Sequence, residues 1–193
     1  MHKLMIITVS TREGRKGDSL ARWIEAEARQ DAEWDVVPVD LKSLALPMLN
    51  EPEHPRLKHY HFEHTKQWSA QVGPVDAFIV VTPEYNFSAP PSIVNALDYL
   101  SQEWAYKPIG FVSYGGVSAG TRGLVVLRQM VSAMRMVPVV ESVNVPFFSQ
   151  FIDAEGTFSA NAPTAAGATG MFAELKKWAG PLKAMRANGA PKS

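Results

Sequence analysis

The chain has 193 residues and a mass of 21.2 kDa, enough for one hydrophobic core and short for two independent domains. Lys plus Arg balances Asp plus Glu at 19 each, with 46% hydrophobic and 20% charged residues, which argues against disorder and against a global field that gathers nucleic acid or anionic membrane. With no cysteine there is no disulfide, thiolate nucleophile, zinc ribbon or iron–sulfur ligand, and a reducing cytoplasm is the expected compartment; no apolar run nears the roughly 18 residues of a membrane span, and the N-terminal run is too short for a secretory signal.

Residues 4–9 (LMIITV) form a continuous, partly β-branched apolar run, the pattern of a strand buried on both faces. A polar loop over 10–17 follows, and then Asp18 or Ser19 caps a helix whose Leu20, Trp23 and Ile24 share one face. Residues 34–39 make a second strand, 41–55 a proline-spaced loop, and 56–71 a weaker helix. The third buried strand, 77–81, stops at Pro83. Pro91 opens a helix with Ile93, Ala96, Leu97 and Leu100 as its apolar stripe. Residues 109–114 are a fourth strand and 115–123 a glycine-rich connection. Leu124, Leu127, Val131 and Met134 then mark a helix ending before Pro138, and 139–145 a fifth strand. Residues 146–170 lack helical period and carry a turn at 153–156, before a last helix that turns Phe172, Leu175 and Trp178 inward. The tail after Arg186 is expected to fray, so a single domain spans 1–186 and a disordered tail 187–193.

Five strands alternating with helices specify an α/β fold: a parallel sheet with right-handed crossovers and helices on both faces. The commoner order for five doubly wound strands is 2-1-3-4-5, which puts a ligand crevice at the carboxyl ends of strands one and three.

Three loops at that rim carry the chemistry. After strand one come Ser10, Thr11 and Arg12, then Arg15, Lys16 and Gly17, then Asp18 and Ser19 at a helix start. Exposed backbone N–H groups, hydroxyls, cations and a helix dipole suit a phosphate, although this loop alone is equally well a solvated connection. After strand three, Pro83, Glu84, Tyr85 and Asn86 pair an aromatic and an amide with prolines, which suits a planar heteroaromatic ring. After strand four, Tyr114, Gly115 and Gly116 bring bare backbone donors to another helix start. Together the loops fit a mononucleotide with a terminal phosphate, and FMN is the candidate.

At these residues the chain resembles the NADPH-dependent FMN reductases of flavodoxin-like fold, a family that includes quinone, chromate and azo-dye reductases. The resemblance runs from about Leu4 to Trp178 and is most specific over PEYN (83–86) and NALDYLS (95–101). It implies that Ser10, Arg12, Asp18 and Ser19 hold the FMN phosphate, that Pro83, Glu84, Tyr85 and Asn86 lie along the isoalloxazine, and that Tyr114, Gly115 and Gly116 meet its other edge. The family usually has glycine before the phosphate-loop serine, where this chain has Val9, and often a lysine where it has Ile93–Val94. The implied reaction is hydride transfer from NADPH or NADH to bound FMN and then electron transfer to a quinone, azo, metal or flavin acceptor, with no catalytic side chain required. The resemblance also implies a homodimer or homotetramer.

Arg15 and Arg122 are candidates for the extra phosphate of NADPH. His54, His59, His61 and His64 are poorly spaced for a metal, and none is expected. Met130, Met134, Met136, Phe147, Phe148 and Phe151 suit a core or a subunit interface. The rival reading is a flavodoxin-like FMN electron carrier without nicotinamide turnover, against which the zero net charge argues; a third is a binding module that has lost its flavin.

Overall fold

The computed structural model describes residues 1–189. In chain order the elements are β1 (His2–Thr8), α1 (Gly17–Arg29), β2 (Trp34–Asp40), α2 (Leu41–Leu44), a 3-10 turn (Pro55–Leu57), α3 (Glu63–Val72), β3 (Ala77–Pro83), α4 (Pro91–Asp98), β4 (Pro108–Tyr114), α5 (Thr121–Ala133), β5 (Val137–Val145), a second 3-10 turn (Phe148–Phe151) and α6 (Ala162–Ala187). The five strands are all parallel, in the order β2-β1-β3-β4-β5, as the sequence pattern leads one to expect.

Alternation along the central strands builds two cores. Met5 and Ile7 of β1, with Phe78 and Val80 of β3, face α3, α4 and α5, where Trp68 and Trp104 fill the space between helices and sheet. Leu4, Ile6, Ile79 and Val81 face the opposite way, against Leu20 and Ile24 of α1 and Met171 and Leu175 of α6. Each such fully buried side chain contributes about 1.5–3 kcal/mol relative to exposure. Both faces of β1, β3 and β4 are therefore covered, and ligand access is left to the strand ends.

Several expectations need correction. Helix α1 begins at Gly17 with Lys16 in the capping position, so Asp18 and Ser19 sit in its first turn, and the Ser19 hydroxyl donates back to the Lys16 carbonyl at 2.7 Å. Part of the proline-spaced loop winds into α2, because the Asp40 side chain accepts from the Lys42 N–H. The weak helix starts only at Glu63. Helix α6 begins at Ala162, capped by Asn161 accepting from the Thr164 N–H at 2.9 Å; apart from Pro163 its first turns are Ala, Gly and Thr, which carry no apolar stripe to detect. Its inward stripe is Ala168, Met171, Leu175, Ala179 and Leu182, which rotates Trp178 outward to 43% exposure. The turn at 153–156 forms, with the Gly156 N–H donating to the Asp153 carbonyl. Of the tail expected to fray, Ala187 still closes α6, Asn188 and Gly189 form a turn, and residues 190–193 lie outside the described residues. Among the described residues no helix is long and apolar enough to cross a membrane.

Candidate functional site

The ladders set Thr8 beside Val81, Thr82 beside Ser113 and Pro83 beside Tyr114, so the loops leaving β1, β3 and β4 emerge together at one rim. Between them lies a cleft of about 300 Å³, in the size range of small-molecule sites. Ser10 and residues 12–16 form one wall, Pro83, Glu84 and Tyr85 the other, and Tyr114, Gly115 and Phe148 the end.

The β1 loop departs late from the sheet. Val9 still donates its N–H to the Val81 carbonyl at 3.1 Å, and its side chain is buried in the core on the α4 side. The side chain that stands where the resemblance leads one to expect glycine therefore occupies the core and leaves the cleft open. Ser10 is buried, with its hydroxyl 3.0 Å from that of Tyr85. Arg12 and Lys16 are exposed beside the start of α1, and among the described residues neither side chain has a hydrogen bond or ion pair. Arg15 differs: it forms a bidentate pair with Asp40 at 2.6 and 2.5 Å and donates to the Ser10 carbonyl. The same guanidinium holds the Asp40 carboxyl below the usual carboxylate range.

The opposite wall is a tight hairpin. Tyr85 and Ser88 exchange both backbone hydrogen bonds at 3.0 Å, which leaves Asn86 and Phe87 as a two-residue turn with φ of 50° and 64°. Asparagine tolerates that conformation; phenylalanine does so under strain, and its ring is 65% exposed with the Arg122 guanidinium 4.4 Å from its centroid. Glu84 anchors the hairpin from behind. Its carboxylate accepts from the N–H groups of Arg122 (3.0 Å) and Gly123 (3.4 Å) and lies 3.4 Å from the Ser118 hydroxyl, so it caps α5 across the chain.

At the end wall, Tyr114 is buried, with its ring 4.8 Å from that of Phe148. Burial, reinforced by Tyr85, pushes its phenol well above the usual range, so it stays protonated as a donor. Gly120 has a φ of 78°, and a Cβ there would meet the Tyr114 carbonyl at 2.9 Å, so this turn requires glycine.

Of the residues singled out from sequence, Ser10, Arg12, Pro83, Glu84, Tyr85, Tyr114 and Gly115 line the cleft together. Gly17 is buried against Tyr114, Ser19 is buried in the helix turn, and Asp18 faces Arg22 at 3.3 Å. Asn86 and Gly116 sit next to the cleft without lining it. Thr11 lies on a second groove, also of about 300 Å³, between α2 and α4. Lys16, one of the loop cations read from the sequence, also lines the cleft; Glu13 and Gly14 of the same loop, and Phe148, expected in a core or interface, are lining residues that sequence reasoning did not single out. The position of Phe148 just past the carboxyl end of β5, at the same rim, was the available signal.

The other clusters resolve differently. Glu53 lies between His59 and His61, at 3.1 and 3.3 Å, and His64 lies against Tyr99 and Asn50. Among the described residues no group of three or more His, Cys, Asp or Glu is arranged to hold a metal ion. Met136 belongs to the core, Met130 and Met134 pack against it, and Phe147 is exposed.

Comparison with known proteins gives the chain a family and a fold. The family model described as NADPH-dependent FMN reductase matches residues 2–150. An NAD(P)H-dependent FMN reductase of Schizosaccharomyces pombe is 38% identical over 120 residues, 61% of this chain and 60% of that protein, so the match spans less than two thirds of that relative. A quinone reductase of Escherichia coli is 31% identical over 137 residues, 66% of this chain and 69% of that one. The solved structure of FerB, a flavoenzyme NAD(P)H:(acceptor) oxidoreductase from Paracoccus denitrificans, superposes with a TM-score of 0.75 at 19% identity, covering 92% of this chain and 97% of that one, which establishes the flavodoxin-like fold. By the family-model match over residues 2–150, the chain belongs to the NADPH-dependent FMN reductase family, flavin enzymes whose cofactors are FMN and NAD(P)H.

Proposed function

We propose that this protein is an FMN-dependent NAD(P)H oxidoreductase that reduces a small-molecule acceptor, with quinones the first class to test. The observation that carries the reading is one cleft with two cations, unpaired among the described residues, at a helix start on one wall and a stiffened aromatic hairpin on the other. The residues present fit the cofactor. Gly14 stands on the cleft wall with a φ of 65° and open space where a Cβ would be, so bare backbone is offered to a phosphate. Arg12 and Lys16 supply its countercharge, and the Ser10 hydroxyl its donor. Pro83, Glu84 and Tyr85 would bound one edge of the ring and Gly115 the other.

When bound, FMN would supply the two-electron chemistry, accepting a hydride from the nicotinamide and delivering electrons to the acceptor. The protein's part is to grip the phosphate, fix the ring between the hairpin and Tyr114, and leave space above it for each substrate in turn. The buried, protonated Tyr114 closes the end of the cleft with its phenol against the start of α1, and the Gly115 N–H, expected as a bare donor, is taken by the Val145 carbonyl at 3.3 Å, so Gly115 contributes close approach and not a hydrogen bond. A second copy of the chain completes the proposal: Met48 (75% exposed), Leu49, Leu57 and Phe62 project from the segment before α3, beside α4, and would be covered in a homodimer.

The test is reconstitution with FMN, followed by visible absorption and by oxidation of NADPH and NADH with and without a quinone. A yellow protein that turns over with quinone is expected. A yellow protein inert to both nicotinamides overturns the enzyme in favour of an electron carrier, and a colourless one that takes up no FMN overturns the flavin reading. Equilibrium sedimentation gives the oligomeric state.

A further inference from the structure

We propose that Arg15 and Asp40 form a latch that holds the phosphate loop in its binding shape before any ligand arrives. The inference rests on the FMN reading above and makes Arg15 a positioning residue, with Arg12 and Lys16 left to meet the phosphate.

The geometry is that of a fixed clamp. One guanidinium nitrogen donates at once to the Ser10 carbonyl (2.6 Å) and to Asp40 Oδ1 (2.6 Å), and the other to Asp40 Oδ2 (2.5 Å). This is the fork geometry in which arginine and carboxylate bind most specifically. Asp40 is itself immobilised. It closes β2, its Cα pairs with that of Thr8 in the ladder, and its carboxylate also accepts from the Lys42 N–H and the Ser43 hydroxyl. The chain therefore leaves the sheet at Ser10, runs across the cleft wall and returns at Arg15 to grip both its own starting point and the neighbouring strand. A second link, Lys42 to Glu13 at 2.8 Å, is largely exposed and adds little.

Charge supports the same assignment. The Asp40 carboxylate neutralises Arg15 and stands where it would repel a phosphate drawn to that guanidinium. Arg12 and Lys16, in the same loop, have no such partner among the described residues. A loop already closed by Arg15 loses less conformational entropy on binding than an open one, and that difference appears as affinity.

The sign of one substitution tests the idea. Asp40→Asn removes a negative charge and frees a cation, so a phosphate-reading Arg15 would bind FMN more tightly. A latch requires the reverse: FMN affinity falls tenfold or more in Asp40→Asn and in Arg15→Lys, because lysine cannot reproduce the fork. Riboflavin, which lacks the phosphate, changes by less than threefold. In the FMN-free proteins, amide exchange over residues 11–16 accelerates about tenfold, while exchange in β3 and β4 stays as in the parent. The Arg15→Lys/Asp40→Asn double variant is no weaker than the weaker single one. Tighter FMN binding in Asp40→Asn, or unchanged exchange over 11–16 in both single variants, overturns the latch. A parent protein that binds neither flavin overturns the function proposed above instead, and the exchange measurement still decides the latch.

Discussion

Gly17 and Tyr114 compete for one volume: an ideal Cβ on Gly17 would fall onto the phenol oxygen of Tyr114. The backbone at Gly17 is ordinary helix, so glycine is present for space and not for conformation. Tyr114 is only 4% exposed and wedged against Phe148, so it has little room to yield. Gly17→Ala should cost about 1–3 kcal/mol through overpacking. Combined with Tyr114→Ala it should cost clearly less than the sum of the two single changes, because the ring that obstructs the methyl is gone. Urea denaturation of the four proteins of the cycle measures this, and strict additivity would refute the steric coupling.

Glu84 lines the cleft yet makes its hydrogen bonds behind it, to the first turn of α5. Its loss should act first on stability. Glu84→Ala leaves two helix-start N–H groups without their acceptor and should cost about 1–2 kcal/mol, while Glu84→Gln keeps an acceptor, loses the charge, and should cost about half as much. Chemical denaturation separates the two. Equal losses would mean that the charge, shared between the α5 N–H groups and the Arg122 guanidinium 3.4 Å away, and not the acceptor atom, does the stabilising.

How much was legible beforehand depended on range. Strands β1, β3 and β4 declared themselves because their central positions are buried on both faces and had to be apolar or small, and their carboxyl ends mark the rim where the cleft lies. The start of α6 did not, because Gly167 packs its backbone against the Ser142 carbonyl of β5 and so replaces a large apolar residue with close approach. Trp178 misled for the related reason that a large side chain three residues from Leu175 looks like a core position until the small residues are seen to form the stripe. Arg15 was considered for the phosphate of NADPH because its partner, 25 residues away on β2, leaves no local trace in the sequence.

If Arg12 and Lys16 meet the FMN phosphate, their contribution is electrostatic and screened by salt. Arg12→Ala and Lys16→Ala should each weaken FMN about tenfold at low ionic strength, equivalent to about 1.4 kcal/mol, and leave riboflavin unchanged. Raising the salt from about 0.05 to 0.5 M should weaken FMN binding to the parent more than to either variant, because the Debye length falls below the spacing of partly exposed charges. Fluorescence titration of the two flavins at several salt concentrations checks both statements. Parallel losses for FMN and riboflavin would remove these cations from the phosphate site.

Lys107 offers a pH test remote from the cleft. It opens the gap between Trp104 and β4, is 3% exposed, and donates to the Val72 and Gly73 carbonyls at the end of α3, both at 2.9 Å. Burial, helped by Arg186, pushes its ammonium down to about 7, against the opposing pull of Asp76 and Glu103. In the unfolded chain the same group titrates near 10.4. Below about pH 7 both states carry the proton and the whole burial penalty is present; between there and about 10 the unfolded chain binds more protons, so stability rises with pH. Lys107→Met fills similar space without the charge, and subtracting its stability from that of the parent isolates the effect. From pH 7 to 9 the difference should move in the parent's favour by about 2 kcal/mol. A flat difference over that range would mean that the two carbonyls hold the proton on Lys107 despite its burial, making it a permanently charged cap for α3.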